Sequence, residues 1–274
     1  MGDAVKETEE INKFFDDNVE DYETKHYGSA VRSFMTVRQQ RVLEFVDALG
    51  LPAGARALDA GCGPGYLLEQ LARRALQVSG MDGAEGMLRS AKARVDAIPP
   101  RFPADFKQGD IEKLPYEDAS FDLVCSTGVI EYLKDDTQVL AEMYRVLKPG
   151  GYLILPVTNL WSPINYLDFI IEFLKRRSWV RGPFNFIWTR MGHGPVLPRH
   201  FHVRKHSPAK FRHALATSGF TLKDSIYFYF LPWPRPLDQL MPKISASLGN
   251  RLEKLGRSKF GFAAEGYLSL CQKI

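Results

Sequence analysis

The sequence predicts an α/β fold in which a mostly parallel sheet carries helices on both faces. Apolar strand segments and amphipathic helical segments alternate from residue 55 to residue 157, which is typical of parallel strands joined by crossover helices. A glycine-rich turn follows the first strand directly, and a carboxylate ends the second, which together indicate a nucleotide-type ligand at one edge of the sheet. At 274 residues, the chain is long enough for one such domain with a substantial insertion.

Two amphipathic helices are predicted before the first strand. Apolar residues recur at helical spacing over residues 8–22, and a second pattern runs from Val31 to Leu49 and ends at Gly50. We expect residues 1–50 to lie over the ligand cleft, with packing in the core as the alternative for their polar side chains. The polar side chains that could reach the ligand are Tyr22, His26, Tyr27 and Arg32.

The central motif is the turn Gly61-Cys62-Gly63-Pro64-Gly65, which follows the apolar run that ends at Asp59 and Ala60. Glycine tolerates positive φ and carries no Cβ, so such a turn lets a ligand approach bare backbone. The second strand, Gln77–Asp82, places its terminal acid about twenty residues after the first glycine, where a ribose-binding carboxylate is expected. Tyr66 stands where a dinucleotide fingerprint has its last glycine, which argues against NAD.

The later elements follow in the same alternation. Helical patterns cover residues 67–75 and 87–95, a third strand covers 104–109, and a fourth covers 121–127. A helix after Asp136 runs to Leu147, and Lys148–Gly151 is expected to turn into a fifth strand over 152–157. Beyond an insertion, a helix entered at Ser207-Pro208 precedes strands over 221–230 and 266–273.

Five of these segments, in this order, resemble the class I S-adenosylmethionine-dependent methyltransferases. They are Leu58–Gly65, Asp82, Gly109-Asp110-Ile111 with Leu114-Pro115, Phe121–Val124, and Arg145–Gly151. The match is close over residues 50–158 and looser over the rest of the chain. The resemblance implies a Rossmann-like seven-stranded sheet whose last strand lies antiparallel between its neighbours. It also implies S-adenosyl-L-methionine as the methyl donor and S-adenosyl-L-homocysteine as the product.

The resemblance assigns roles to the acids at the strand ends. Asp82 would accept both ribose hydroxyls, and Asp110 would take the exocyclic amine of adenine while Ile111 packs on the ring. Asp59 would counter the cationic methionyl end, directly or through water. A helix cap or turn former is the alternative for each acid. The other cofactor-binding candidates are Tyr22, Gly61, Gly63, Gly65, Gly83, Met87 and Thr127.

An insertion of nearly fifty residues, 158–206, follows the fifth strand and is predicted to form a substrate cap. It carries eight basic and two acidic residues in a chain of net charge +4, which indicates an anionic substrate or surface. Residues 163–174 are apolar, too short to span a bilayer, and followed by the basic run 175–177. They could form a lid over an apolar substrate, a dimer contact or a membrane-surface helix. A second insertion is expected over about 231–262, within a methyltransferase domain that covers 51–274.

Methyl transfer from a sulfonium is an in-line displacement, so a general base is needed only when the nucleophile is poorly acidic. The predicted cap contains four histidines in one stretch of fourteen residues, namely His193, His200, His202 and His206. His202 is the candidate base, with His200 or Glu131 as alternatives, and a structural hydrogen bond is the competing interpretation for each. The cluster lacks carboxylates or cysteines at ligand spacing, which argues against a metal site.

The predicted function is methylation of a bulky small molecule in a biosynthetic pathway, at an oxygen of an aromatic, polyketide, glycan or lipid-linked acceptor. The alternatives are a nucleic-acid or protein methyltransferase and a non-catalytic, cofactor-binding regulatory protein. No Asn-Pro-Pro-aromatic tetrad or Pro-Cys nucleophile is found, so a nucleic-acid substrate rests only on the basic cap. The chain shows no apolar leader and no bilayer-spanning run, and its three cysteines are far apart in sequence. We therefore expect reduced thiols in a cytoplasmic monomer or homodimer, with peripheral contact at the inner membrane surface as a further option.

Overall fold

The computed structural model describes residues 2–27, 32–99, 101–167, 170, 203–233, 238 and 241–274. Its centre is a seven-stranded sheet with the strand order β3-β2-β1-β4-β5-β7-β6. Strands β1 to β5 are parallel, whereas β7 pairs antiparallel with both β5 and β6, so the predicted sheet is confirmed. The strands are β1 (Arg56–Ala60), β2 (Gln77–Asp82), β3 (Asp105–Gln108), β4 (Phe121–Cys125), β5 (Leu147–Thr158), β6 (Phe220–Phe228) and β7 (Gly266–Lys273).

Helices cover both faces of the sheet and bury two apolar clusters. One cluster joins α3, α4 and α5 through side chains such as Phe45, Leu68 and Ala91, and the other joins α6 and α7 through Leu140 and Phe211. Most strands contribute side chains to both clusters, because successive side chains of a strand point to opposite faces of the sheet. The helices are α1 (Gly2–Asp17), α2 (Val19–Tyr27), α3 (Phe34–Leu49), α4 (Tyr66–Arg73), α5 (Glu85–Asp96), α6 (Thr137–Val146), α7 (Pro208–Thr217) and α8 (Pro242–Leu252).

The single N-terminal helix predicted over residues 8–22 is wrong, because the chain forms two helices that break at Asn18. The Asn18 side chain donates to the Phe14 carbonyl at 2.7 Å, and the Asn18 carbonyl accepts from the Tyr22 N–H at 2.9 Å. An asparagine side chain that competes for backbone groups ends one helix and starts the next. The end of α3 is as predicted, since Gly50 adopts the left-handed conformation with φ of +58°.

Strand β5 begins earlier than predicted. Leu147 already pairs with Phe121, and the register then shifts before Tyr152 pairs with Leu123. The segment expected to be a turn is therefore an irregular part of the strand, and Gly150, with φ of +79°, provides its bend.

Three features bear on the class of protein. The three cysteines are free and buried, as predicted, and burial raises the pKa of the Cys271 thiol to about 12. Over the ranges given above, no helix is both long and apolar enough to cross a bilayer. The strand order reverses between β1 and β4, which opens a crevice at the carboxyl ends of these strands.

Candidate functional site

The turn between β1 and α4 is built on three glycines with positive φ, of +77° at Gly61, +51° at Gly63 and +81° at Gly65. A Cβ at Gly61 would overlap the Val129 side chain, and one at Gly65 would lie 2.6 Å from the Ala91 Cα. At Gly63 an added Cβ would meet nothing within 4 Å. Gly61 and Gly65 thus permit close packing, whereas Gly63 leaves open space at the crevice.

Asp82 ties this turn to the end of β2. One carboxylate oxygen accepts from the Gly63 N–H at 2.8 Å, and the other accepts from the Ala84 N–H at 3.0 Å. Burial raises the pKa of Asp82, although these backbone hydrogen bonds oppose that shift. Each oxygen keeps a second lone pair, so the side chain can hold the turn and still accept hydrogen bonds from ligand hydroxyls.

Asp59, near the end of β1, is an unsatisfied buried acid. Its side chain is 1% exposed, and neither carboxylate oxygen has a hydrogen-bond partner. Burial raises the pKa of Asp59 well above its usual range, the Asp82 charge raises it further, and the Arg38 charge lowers it. Leaving a buried polar group without a partner is costly, so this carboxyl group is suited to a partner that a ligand brings.

Arg38 on α3 is the charged residue at this crevice that the sequence analysis missed. It is 5% exposed, and a Cβ added at Gly128 would lie 2.5 Å from its Nη1 atom. Its guanidinium makes no ion pair with any residue in the described ranges. A signal was present, because Arg38 is four residues before Val42 and seven before Phe45, on the apolar face of α3.

The glycine turn and Asp82 border a cleft that contains about 830 Å³ of empty space, part of it open to solvent, and Arg38 is not among its lining residues. Nine of the predicted cofactor-binding residues line it, namely Tyr22, Gly61, Gly63, Asp82, Gly83, Met87, Asp110, Ile111 and Thr127. Asp59 and Gly65 lie behind this wall. Residues of α1, of β2, of the turn after β3 and of the segment after β4 complete the lining and were not predicted as cofactor-binding residues: Ile11, Asn12, Phe15, Met81, Gly109, Gly128, Val129, Tyr132 and Leu133.

Asp110, the acid predicted to bind the adenine, differs in its surroundings from Asp82, the acid predicted to bind the ribose. Asp110 is exposed and accepts from the Glu112 N–H at 2.9 Å, while the neighbouring Ile111 is buried. An exposed acceptor beside a buried apolar side chain forms an edge that can accept from an amine and cover a ring face.

Helices α1 and α2 are held across the cleft by specific contacts. Asp16 accepts from the Gly86 N–H at the start of α5 at 2.6 Å, and the Tyr27 ring stacks on Tyr66 with centroids 3.7 Å apart. Glu23 adds hydrogen bonds to Ser90 and Arg94. Of the other polar candidates in this prefix, Arg32 pairs instead with Glu253, away from the lining.

The predicted catalytic residues are only partly described. His200 and His202 lie outside the described residues, as does His193. Glu131 is buried, does not line the cleft, and accepts from the Thr158 N–H at 2.5 Å, so it anchors the end of β5. His206 pairs with Asp136, which also pairs with Arg204. No group of three or more potential metal-binding side chains occurs in the part of the chain that the structure describes.

Comparison with known proteins identifies the family. A family model described as a methyltransferase domain matches residues 58–155. A ubiquinone biosynthesis O-methyltransferase from Xanthomonas axonopodis pv. citri (strain 306) is 31% identical over 196 residues, covering 70% of this chain and 73% of that protein. The chain belongs to the class I S-adenosylmethionine-dependent methyltransferases. A probable S-adenosylmethionine-dependent methyltransferase from Mycolicibacterium smegmatis is 31% identical over 174 residues, which are 64% of this chain and 55% of that protein. Two other relatives are matched over only 30% and 34% of their own length.

The fold of this methyltransferase is shared with solved structures of low sequence identity. The magnesium protoporphyrin IX methyltransferase from Synechocystis PCC 6803, solved with bound SAH, superposes with a TM-score of 0.64 at 16% identity. The superposition covers 96% of this chain and 98% of that one. The cofactor of the present chain is S-adenosyl-L-methionine, and the crevice fits it: the glycine turn leaves space at Gly63, and the buried Asp59 carboxyl group lacks a partner.

Proposed function

We propose that this methyltransferase modifies a hydroxyl oxygen of an aromatic, lipid-linked small molecule. The observation that carries the proposal is the aromatic lip of the cleft, where the Phe15 ring meets Tyr22 and Tyr132 edge to face, each at 5.8 Å. Such a lip suits a flat apolar acceptor. A relative that is covered over 73% of its length, a ubiquinone biosynthesis O-methyltransferase, supports the same chemistry.

We further propose which residues hold the cofactor. Asp82 would accept from the ribose hydroxyls through its remaining lone pairs, and Asp110 with Ile111 would hold the adenine. At the other end of the crevice, Asp59 would face the methionyl ammonium and Arg38 the methionyl carboxylate. A buried acidic and a buried basic side chain, each without an ion-pair partner in the described ranges, are suited to a zwitterionic group.

The cofactor supplies an electrophilic methyl group on a sulfonium sulfur. The chain then has to align the acceptor oxygen, exclude water and, for an alcohol or phenol, accept the hydroxyl proton. His202 remains the proposed base, with His200 as its alternative, because an imidazole suits proton transfer near neutral pH. Glu131 is a weaker choice, since its carboxylate already accepts from the Thr158 N–H behind the cleft wall.

Mass-spectrometric detection of methyl transfer to a panel of catechols, with and without a prenyl chain, tests the proposal. We expect O-methylated product from the wild type and a fall of about 10²–10⁴-fold in kcat for His202→Ala, with cofactor affinity within about twofold. The loss should shrink as pH rises, because the acceptor then ionises without a base. Asp82→Ala is the contrasting variant and should weaken cofactor binding by about 1.5–3 kcal/mol.

A different outcome would redirect the proposal. Methyl transfer to a carboxyl group and not to any hydroxyl would favour the chemistry named for another relative, the malonyl-[acyl-carrier protein] O-methyltransferase of Serratia marcescens, 39% identical over 101 residues. Cofactor binding without turnover on any acceptor would favour a regulatory protein. Transfer to nucleic acid or protein would contradict the small-molecule proposal.

A further inference from the structure

Exposed apolar side chains of the described residues are concentrated at one edge of the sheet. Seven of the eleven large exposed hydrophobic residues lie in two segments, 160–170 and 260–262. Trp161 is 64% exposed, Tyr166 67%, Phe260 52% and Phe262 49%. Single exposed apolar side chains are ordinary, but a concentration of this kind marks an interaction surface.

Hydrogen bonds join the two segments side by side. The Asn159 side chain donates to the carbonyls of Phe262 and Ala264 at 2.9 and 2.8 Å, and the Trp161 N–H donates to the Asn159 carbonyl oxygen Oδ1 at 3.1 Å. The Ser162 hydroxyl donates to the Ala263 carbonyl at 3.3 Å. The aromatic side chains therefore project from a backbone that is fixed locally.

This surface, which we define by Trp161, Phe260 and Phe262, lies at the same edge of the sheet as the cofactor cleft. Thr158, the last residue of β5, pairs with Gly266, the first residue of β7, so both segments adjoin the carboxyl end of β5. β5 is parallel to β4, whose carboxyl end leads into the cleft wall. The edge that receives the acceptor is thus also the edge that carries the apolar surface.

The chain segment that leads into this surface is positively charged. Residues 241–262 contain five basic residues and one acid, and that acid, Glu253, has a side chain only 9% exposed and pairs with Arg32 and Arg41. Arg257 pairs with Asp224. The remaining four make no ion pair with any residue in the described ranges and are exposed: Lys243, Arg251, Lys254 and Lys259. Lys259 lies next to the surface, with its Nζ atom 5.3 Å from the Phe260 ring centroid.

We propose that the surface of Trp161, Phe260 and Phe262 docks on an anionic lipid bilayer, so that the acceptor enters the cleft from the membrane. Half-exposed aromatic rings flanked by unpaired lysines are the side chains that bind at a bilayer interface and to anionic headgroups. An acidic carrier protein would match the lysines but would not require three large exposed rings. This inference rests on the proposed lipid-linked acceptor, and it uses residues other than the basic run 175–177, which lies outside the described residues.

Vesicle co-sedimentation of the full chain tests the proposal. Wild-type protein should partition onto vesicles of phosphatidylcholine and phosphatidylglycerol at low salt, and less as salt rises. The partition coefficient of the double variant Phe260→Ser/Phe262→Ser should be at least about tenfold lower, because two apolar side chains that insert at the interface are lost. Lys259→Gln should lower the partition coefficient about fivefold, which corresponds to the contribution of one cation at an anionic surface.

Matched controls come from the opposite end of β6, where Leu222 and Lys223 are also exposed. Leu222→Ser and Lys223→Gln should stay within about twofold of wild type. No partition by the wild type, or equal losses in test and control variants, would overturn the proposal. Binding to a purified acidic acyl-carrier protein without binding to vesicles would overturn it in favour of a protein partner.

The docking inference can fail separately from the proposed function. Calorimetric cofactor binding and methylation of a water-soluble catechol need no membrane and should be unchanged in Phe260→Ser/Phe262→Ser. Their persistence in a wild-type protein that ignores vesicles would refute docking alone, whereas their absence in the wild type would refute the proposed chemistry.

Discussion

Replacing Asp59 with Asn should stabilise the free protein while weakening its cofactor binding. Asp59 is 1% exposed and both carboxylate oxygens lack partners, so the charged form is strongly disfavoured by burial. Asn has nearly the same shape and no charge. Removing the charged group should recover about 1–2 kcal/mol of unfolding free energy at pH 8, part of the usual cost of an unsatisfied buried polar group.

The sign follows from proton linkage. The pKa of Asp59 in the folded protein lies well above the value of 3.8 expected for the unfolded chain. Above pH 3.8 the unfolded state releases this proton while the folded state retains it, so the Asp59 contribution lowers stability as pH rises towards the folded pKa. The advantage of Asp59→Asn should therefore vanish near pH 4 and grow with pH.

The assay is thermal unfolding of the cofactor-free protein between pH 4 and pH 8. We expect Asp59→Asn to raise Tm by about 2–6 °C at pH 8, and calorimetry to show cofactor binding weaker by about 1.5–3 kcal/mol. Asp82→Asn is the contrasting variant, because that carboxylate accepts from two backbone N–H groups. It should lower both stability and affinity. A pH-independent difference, or destabilisation by Asp59→Asn at pH 8, would refute this account of the buried acid.

Three further predictions concern the same architecture. Arg38→Gln should weaken cofactor binding by about 1.5–3 kcal/mol in calorimetry, since it removes the proposed partner of the methionyl carboxylate; unchanged affinity would rule out that role. Gly65→Ala should lower Tm far more than Gly150→Ala, because both have positive φ but only the first would clash, 2.6 Å from a backbone Cα; equal shifts would contradict the packing argument. Glu253→Gln should cost about 3–5 kcal/mol in urea unfolding, because it leaves the largely buried Arg32 without its acid and removes one of the two acids that pair with Arg41; a cost below about 1 kcal/mol would show that the pairs are solvated.

Most of the sheet could be predicted from the sequence because its signals are local. Strand β2 matches its predicted bounds, Gln77–Asp82, since an apolar run ending in an acid specifies both the strand and its last residue. The glycine turn could also be predicted, because Gly61 and Gly65 adopt a positive φ that few other residues tolerate. The irregular parts of the helices and strands were harder to predict. The break at Asn18 depends on one side-chain hydrogen bond, and the early start of β5 depends on a register shift against β4.

Side-chain partners that are distant in sequence were the main omission in the site. Asp16 caps α5 from seventy positions away, and no periodicity in either segment encodes that pairing. Arg38 was harder still, because a charged residue within an amphipathic pattern is ordinarily assigned to the solvent face. Its position on the apolar face was visible, but only the fold shows that this face meets the carboxyl end of β4 at Gly128.

Asp59 and Arg38 together suggest how the free protein is prepared for its cofactor. The Arg38 charge lowers the pKa of Asp59, yet neither side chain forms an ion pair with the other or with any described residue. A buried carboxyl group and a buried guanidinium left apart cost stability, and a zwitterionic methionyl group would supply a partner to each. Cofactor binding should then stabilise the fold by more than contacts to the ribose and adenine alone provide. The α-amino and carboxylate groups are shared by S-adenosyl-L-homocysteine, so product should protect the fold nearly as well as donor, whereas adenosine, which lacks both groups, should not.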